Sequence, residues 1–255
     1  MKAPLDLRVR IQGEGSPVLL LHGLGDSLDS FWDSGWVAAL SSHRIIAFDA
    51  RGHGGSPRPK NVASYAESAR VADALAVLDH AGVRQTHVLG YSMGGWTAMR
   101  LAVEAPERVA SLLVGAAQPY GQSLAPLRRL MARGVGAFVE AIERTRTLPP
   151  SVRARFLAND PEALAAVIAE DRRSIDTSRM QAPLFTWAGE HDPLTPLVER
   201  FAAQCGGAFV RVPRCGHFDA FDDPVVLRIA SSWMADQSRP ASSNMKTWSE
   251  PDVST

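Results

Sequence analysis

The amino-acid sequence predicts an α/β fold, in which helices cover both faces of a mostly parallel β-sheet and a further group of helices is inserted into the chain. Three observations support this fold class. Short apolar runs rich in β-forming residues recur, segments with helical spacing lie between them, and each run ends in a polar or glycine-containing loop. The six runs lie at residues 17–21, 44–48, 86–89, 111–114, 184–187 and 209–212.

The segments between these runs have helical patterns. Residues 64–81 carry apolar side chains at helical spacing, and Gly82 follows them, as is typical of a helix end. Residues 95–104 form a second predicted helix, which Pro106 limits. A chain of 255 residues with 45% hydrophobic residues can bury one large core, so we expect a single α/β core.

One interval interrupts the alternation of strands and helices. Residues 119–182 show helical patterns and no convincing strand, which predicts a helical lid inserted between two parts of the core, 1–118 and 183–235. The last segment, 236–255, is rich in serine, proline and charged residues and has no apolar period. We expect that segment to be a disordered tail.

Charge and composition narrow the classes of partner. The formal net charge is zero and no run of Lys and Arg exceeds a pair, so the chain lacks the basic surface that nucleic acid or an anionic membrane would attract. Residues 1–15 contain no long apolar stretch of the kind found in signal peptides or membrane spans. We therefore expect a cytoplasmic protein that acts on a small molecule, and the oligomeric state stays open.

The most informative motif is the stretch 90–95, which reads Gly-Tyr-Ser-Met-Gly-Gly. It lies between the predicted strand 86–89 and the predicted helix 95–104. A turn this sharp needs glycine two positions before and two positions after the serine, because side chains there would collide. The turn exposes the hydroxyl of Ser92 at the top of the sheet, close to the positive end of the following helix. This arrangement is typical of a nucleophile.

Further polar loops follow the other predicted strands, at the edge where a parallel sheet forms its ligand crevice. They are His-Gly-Leu-Gly at 22–25, Asp-Ala-Arg-Gly-His-Gly-Gly-Ser at 49–56, Gly-Glu-His-Asp-Pro at 189–193 and Cys-Gly-His-Phe at 215–218. Serine, aspartate and histidine thus arrive in that order along the chain. The order and the motifs resemble the α/β-hydrolase family, from about residue 18 to residue 221.

The resemblance implies a Ser-His-Asp triad. His217 alone among the seven histidines lies after the final predicted strand in a Gly-His loop, so it is the candidate base for Ser92. Asp192 lies in the loop where the family places its acid, and Glu190 is the local rival. The loop after strand 111–114 contains no carboxylate at 115–120.

The resemblance also implies an oxyanion hole made of backbone N–H groups. Met93 follows the nucleophile, and Leu24 lies in the loop after the first apolar run. We expect His22 to brace that loop by hydrogen bonds. Arg51 is expected to join strand ends through salt bridges rather than to take part in catalysis.

Two other kinds of site fit the sequence poorly. His22, His53 and His191 lack the spacing of known zinc motifs, so we expect no metal. A dinucleotide fingerprint beginning at Gly23 would need a glycine where Leu28 stands, and no phosphate-loop lysine occurs. We expect no cofactor.

The sequence therefore predicts a serine hydrolase that cleaves a small carboxylic ester through an acyl-enzyme, as a carboxylesterase does. An enol-lactonase, a carbon–carbon hydrolase of aromatic degradation and a small-ligand receptor on the same fold stay open, as do perhydrolase and acyltransferase activities. Epoxide hydrolases and dehalogenases resemble this family but need aspartate where Ser92 stands. The predicted lid is rich in arginine, and we expect most of these arginines to be solvated, which favours neutral esters over esters that carry a carboxylate.

Overall fold

The computed structural model describes residues 6–238 and contains one seven-stranded sheet. The strand order is β1-β3-β2-β4-β5-β6-β7, and every neighbouring pair is parallel except β1 with β3. The strands are β1 (Val9–Gln12), β2 (Pro17–Leu21), β3 (Arg44–Phe48), β4 (Thr86–Tyr91), β5 (Val109–Gly115), β6 (Leu184–Gly189) and β7 (Ala208–Val212). The predicted fold class, a mostly parallel α/β sheet with helices, is confirmed.

Helices cover both faces of this sheet. The α-helices are α1 (Ser30–Asp33), α2 (Trp36–Ala39), α3 (Glu67–His80), α4 (Met93–Glu104), α5 (Ala125–Met131), α6 (Val135–Glu143), α7 (Pro150–Leu157), α8 (Pro161–Val167), α9 (Thr195–Gln204) and α10 (Pro224–Gln237). Short 3-10 helices lie at Val62–Tyr65, Pro106–Arg108, Thr177–Arg179 and Asp219–Phe221. No helix within residues 6–238 is long and apolar enough to cross a bilayer.

Strand β2 shows why the apolar runs are continuous. Leu19 and Leu21 pack with α3, α4 and Phe201 on one face of the sheet. Val18 and Leu20 pack with α1, α2 and α10 on the other face. Successive side chains of a strand point to opposite faces, so a strand that is covered on both sides needs apolar residues at every position.

Strand β1 had no such signal and was not predicted. It has four residues, lies at the edge of the sheet and pairs antiparallel with β3, with Val9 opposite Phe48. Three of its four residues are exposed, and Val9 alone packs against the core. An exposed edge strand needs no continuous apolar run, which is why the sequence pattern does not mark it.

Helices α5 to α8 lie between β5 and β6, within the interval 119–182. Their apolar side chains form a third cluster, which includes Phe138, Val139 and Leu164. That cluster also contacts Leu24, Met93 and other residues of loops at the carboxyl end of the sheet. The inserted helices therefore pack over the carboxyl edge of the sheet, where the sequence predicted the site.

The carboxyl-terminal part of the chain is helical further than the sequence suggested. Helix α10 ends at Gln237, and Ser238 caps it. The predicted boundary of the tail at residue 236 therefore falls inside the helix, while residues 239–255 of that tail lie outside the described residues.

Candidate active site

Ser92 stands at the junction of β4 and α4 in a strained backbone conformation. Its φ is +52° and its ψ is −110°, a combination that non-glycine residues seldom adopt and that costs about 1–3 kcal/mol. A Cβ atom on Gly90 would collide with the carbonyl of Gly94, and one on Gly94 would collide with the carbonyl of Leu21. Both glycines are therefore required for β4, α4 and β2 to meet this closely.

The side chains of Ser92, His217 and Asp192 form one chain of hydrogen bonds. His217 Nε2 lies 3.0 Å from Ser92 Oγ, and His217 Nδ1 lies 2.6 Å from Asp192 Oδ2. Because an ionised carboxylate only accepts hydrogen bonds, Nδ1 carries the proton and Nε2 can accept one from the hydroxyl. The Asp192 side chain is 1% exposed and that of His217 is 24% exposed, so the carboxylate is shielded while the imidazole reaches the crevice.

Two further contacts fix this arrangement. The backbone N–H of Leu194 donates to Asp192 Oδ1 at 2.9 Å, which orients the carboxylate at the start of α9. The hydroxyl of Tyr91 donates to the backbone carbonyl of His217 at 2.5 Å. Burial, followed by the nearby charge of Asp192, raises the pKa of Tyr91 well above its ordinary value, so the phenol stays a donor.

Glu190, the rival acid, points elsewhere. Its Oε2 accepts a hydrogen bond from the backbone N–H of Arg214 at 2.9 Å. Arg214 has a φ of +59°, so Glu190 supports a tight turn after β7. His217 contacts Asp192 instead, and the local geometry thus separates the two carboxylates.

The loop 22–25 lies beside Ser92. A Cβ built on Gly23 would be 3.8 Å from the Cβ of Ser92. The backbone N–H of Ala50 donates to His22 Nε2 at 3.0 Å, so His22 Nδ1 carries the proton and donates to the carbonyl of Gly23 at 2.8 Å. His22 thereby sets the orientation of the peptide that joins Gly23 to Leu24, as the sequence suggested.

The two residues predicted to supply the oxyanion donors lie at the same cavity. Leu24 and Met93 both line a cavity together with Ser92. The N–H of Met93 is the first of α4, where a helix offers no acceptor. The N–H of Leu24 has no acceptor among residues 6–238. Both groups are available to a negatively charged oxygen beside Ser92.

Two cavities meet at Ser92 and His217. The larger has a volume of about 600 Å³, and its walls include apolar side chains of the inserted helices. These side chains are Leu127, Leu130, Phe138, Ile142, Leu148, Val152 and Phe156. The smaller cavity, of about 140 Å³, lies on the side of Met93 and Trp96. A bound molecule can therefore extend in two directions from the serine.

The arginines at the larger cavity are already paired. Arg146 contacts Asp222 at 3.1 Å and donates to the carbonyl of Phe218 at 2.7 Å. Arg155 contacts Asp26 at 2.7 Å and Asp33 at 2.6 Å. Burial raises the pKa of Asp26 despite the opposing effect of Arg155. These pairs join the inserted helices to the core, and among the described residues that line the larger cavity no arginine or lysine is left without a carboxylate partner.

The remaining polar residues that the sequence singled out are structural. Arg51 forms an ion pair with Asp73 on α3, with Nε 2.6 Å from Oδ2. The rings of His22 and His53 lie edge to face, with centroids 5.1 Å apart. No group of three or more metal-ligating side chains occurs in the described part of the chain.

Sequence reasoning missed three polar residues near the serine: Tyr91, Gln122 and Arg172. Tyr91 follows Gly90 within the motif itself, so its position could have been noticed, but its contact with the carbonyl of His217 spans 126 residues. Gln122 and Arg172 line the smaller cavity and lie in segments without a regular pattern. No local signal marks them.

Known proteins share this architecture. The model of the α/β hydrolase fold family matches residues 16–149. A protein described as a candidate carbamate hydrolase, RutD, of Azorhizobium caulinodans is 38% identical over 144 residues, which are 53% of this chain and 52% of that protein. The 2-hydroxymuconate semialdehyde hydrolase of Pseudomonas putida is 38% identical over 135 residues, 47% of this chain and 48% of that protein. The matches thus span about half the length of these curated relatives.

Solved structures match over more of the chain. The enol-lactonase of Burkholderia xenovorans superposes with a TM-score of 0.77 at 26% identity, covering 91% of this chain and 95% of that one. A hydrolase of Pseudomonas aeruginosa superposes with a TM-score of 0.77 at 25% identity, covering 89% and 93%. The family match covers the turn at Ser92 between β4 and α4 and the loop at Leu24. The chain belongs to the α/β-hydrolase fold family.

Proposed function

We propose that the chain is a serine hydrolase that cleaves a small carboxylic ester through an acyl-enzyme at Ser92. The observation that carries the proposal is the hydrogen-bonded chain from Ser92 through His217 to Asp192, located where two cavities meet. A serine hydroxyl alone is a weak nucleophile, and a neutral imidazole oriented by a carboxylate is the usual means of activating it.

The reaction follows from the positions of these groups. Ser92 Oγ attacks the carbonyl carbon while His217 Nε2 takes the hydroxyl proton. The carbonyl oxygen gains a negative charge, which the N–H groups of Leu24 and Met93 stabilise, at about 3 kcal/mol for each donor. The tetrahedral species collapses, the ester C–O bond breaks, and His217 returns the proton to the departing alcohol. Water, deprotonated by His217, then hydrolyses the acyl-enzyme in the same way.

The inserted helices over residues 119–182 act as a lid in this proposal. Their apolar walls supply the larger cavity, where part of the substrate is removed from water. The ion pairs of Arg146 and Arg155 hold the lid against the core. The substrate is a small molecule, because both cavities are of that size.

A lactone is the second candidate substrate. The structural similarity to an enol-lactonase over nine-tenths of the chain supports it. A cyclic ester would react by the same steps, except that its alcohol stays attached to the acyl group. The larger cavity has room for such a ring.

Labelling with a fluorophosphonate probe tests the nucleophile independently of the substrate. We expect the wild-type protein to be labelled at Ser92 and the Ser92→Ala variant to remain unlabelled. A panel of short esters and lactones then separates the two candidate reactions through kcat/KM. Tight ligand binding with turnover of only a few molecules per hour would contradict the enzyme proposal and favour a receptor on the same fold.

A further inference from the structure

The smaller cavity has a polar wall built by Gln122 and Arg172. The two residues form an antiparallel bridge, in which Gln122 N donates to Arg172 O at 3.0 Å and Arg172 N donates to Gln122 O at 2.9 Å. Residues that are directly opposite in such a pair present their side chains on the same side. Both side chains line the cavity that Ser92 also lines.

Arg172 differs from the other partly buried arginines of the inserted helical region. Including Arg172, the partly buried arginines of this region are Arg128, Arg146, Arg155 and Arg172. The first three contact Asp171, Asp222 and Asp26 respectively, each at 2.7–3.1 Å. Within residues 6–238, the guanidinium of Arg172 has neither a carboxylate partner nor a hydrogen bond, and its contact is with the ring of Trp96.

The contact with Trp96 leaves the donors of Arg172 free. The central carbon of the guanidinium lies over the indole ring, 4.8 Å from its centroid. A guanidinium that stacks on an aromatic ring still presents its N–H groups in its own plane, where they can bind a carboxylate with two parallel hydrogen bonds. Trp96 therefore holds the cation in place without neutralising it.

The charged groups around Arg172 form no ion pair with it, although the charge of Glu67 partly offsets its own. Glu67 contacts Arg100 at 2.6 Å, and Arg70 donates to the carbonyl of Val167 at 2.7 Å. Burial, and then the nearby charge of Arg70, lowers the pKa of Arg172 to about 9. A partly buried cation without a paired carboxylate is unfavourable, and a bound anion would remove part of that cost.

The size of the cavity limits what that anion can be. Its volume is about 140 Å³, and a water molecule occupies about 30 Å³ in the liquid, so it holds roughly five heavy atoms beyond the reacting carbonyl. Two methylene groups and a carboxylate amount to this number. The rest of the substrate would then occupy the larger, apolar cavity.

We propose that Gln122 and Arg172 form a carboxylate subsite, so that the enzyme prefers esters whose acyl part ends in a second carboxylate about two carbons from the scissile carbonyl. This inference rests on the proposed function at Ser92 and replaces the preference for neutral esters that the sequence favoured. The amide of Gln122 donates to the same carboxylate that Arg172 binds. Arg172 is thus a specificity-determining residue.

Two isosteric esters test the subsite. Monobenzyl succinate carries the carboxylate, and benzyl 4-methylpentanoate has the same number of acyl heavy atoms without charge. We expect wild-type kcat/KM to be at least about tenfold higher for the succinate. Replacing Arg172→Gln should lower the succinate-to-neutral ratio about 10- to 100-fold, the usual effect of losing a charge-assisted hydrogen bond. Arg172→Lys should keep part of the preference, because lysine keeps the charge but cannot form the two parallel hydrogen bonds of a guanidinium.

The matched control is Arg173→Gln. Arg173 is the exposed neighbour of Arg172, so this variant makes the same change in net charge without altering the cavity. We expect it to leave the substrate ratio unchanged. A ratio that is unchanged in Arg172→Gln, or a wild-type preference for the neutral ester, would overturn the subsite. If fluorophosphonate labelling of Ser92 persisted, the proposed function would still stand.

Binding to the Ser92→Ala protein separates the two proposals when neither ester is turned over. Titration calorimetry with monobenzyl succinate should show binding that weakens about tenfold or more in the double variant with Arg172→Gln. Such binding without wild-type turnover would support the subsite and overturn the hydrolase proposal. Equal binding by both proteins would overturn the subsite. If Arg172→Gln fails to fold by circular dichroism, Gln122→Leu replaces it, with a smaller loss in the same ratio.

Discussion

The two ends of the sheet each carry a histidine hydrogen-bonded to a serine. The two pairs differ in the second partner of the histidine and in the exposure of the serine. At the carboxyl end, His217 Nε2 lies 3.0 Å from Ser92 Oγ. Near the amino end, His87 Nδ1 lies 2.8 Å from Ser111 Oγ, where β4 and β5 are paired. Distance alone would rank the second pair above the first.

The surroundings reverse that ranking. His217 has Asp192 on its other nitrogen, whereas His87 has the hydroxyl of Ser238 at 3.0 Å. Ser111 is fully buried, while Ser92 is partly exposed where two cavities meet. A histidine–serine contact is therefore a sign of chemistry only where a carboxylate, free N–H donors and space for a substrate accompany it.

Replacing the serines of the two histidine–serine pairs should show the greatest difference between the two ends of the sheet. We expect Ser92→Ala to lower kcat by about 10⁴-fold or more, because all covalent chemistry passes through this hydroxyl. Ser111→Ala should leave kcat within about threefold and affect stability instead, since it removes a buried hydrogen bond. Steady-state kinetics and thermal unfolding of both variants check this. Full activity in Ser92→Ala would contradict the assignment of the nucleophile.

The next effect concerns the two carboxylates of the loop after β6. Asp192→Asn should lower kcat by about 10³- to 10⁴-fold while the protein stays folded, because the amide no longer enforces the tautomer of His217. Glu190→Gln, the matched control, should change kcat by less than about threefold, since Glu190 contacts the backbone of Arg214. The acid would be wrongly assigned if Glu190→Gln were the damaging change.

The sequence predicted six of the seven strands and the elements around Ser92, because backbone requirements determine both. Buried parallel strands need continuous apolar runs, and the turn at Ser92 needs glycine at positions 90 and 94. The candidate triad residues follow from the same loops, and the structure brings their side chains into contact. Their catalytic roles stay predictions.

The pairing of the side chains that line the two cavities could not be predicted in this way. Arg155 and Asp26 are 129 residues apart in sequence, and nothing near either residue indicates the other. The bridge between Gln122 and Arg172 joins two irregular segments, and no local sequence pattern predicts it. Whether a given arginine is paired depends on the packing of the inserted helices on the core. The sequence shows how many arginines this region has, but it does not show that Arg172 is the one without a carboxylate partner among the four partly buried ones that the structure describes there.

The histidine–serine pair near the amino end of the sheet should affect how the stability of the protein depends on pH, and it should not affect catalysis. Burial, and then the charge of His43, lowers the pKa of His87 from 6.5 to about 4. Between these two pH values the unfolded chain binds more protons than the folded chain. The contribution of His87 to the free energy of unfolding is therefore fully present above about pH 6.5 and decreases as the pH falls towards 4. The loss amounts to about 3 kcal/mol.

Urea unfolding at pH 7 and pH 4.5, followed by tryptophan fluorescence, measures this dependence. His87→Gln should reduce the difference between the two pH values. His80→Gln, at an exposed position on α3, should not change it. The pKa of His43 is also lowered by burial, so part of the difference should remain. An unaltered difference in His87→Gln would show that His87 is not the group responsible.

A smaller change in activity is expected from Tyr91, whose hydroxyl donates to the backbone carbonyl of His217. Tyr91→Phe keeps the buried ring, which packs against Phe221 with centroids 4.8 Å apart, but removes the donor to the carbonyl of His217. An unsatisfied buried carbonyl costs about 1–3 kcal/mol. Part of that cost should appear as a displaced imidazole, which lowers kcat by about three- to tenfold with little change in KM. Tyr120→Phe is the control, because its hydroxyl contacts Gln204 at an exposed position away from the cavities. If both variants lost stability equally and neither lost kcat, Tyr91 would support the fold without positioning His217.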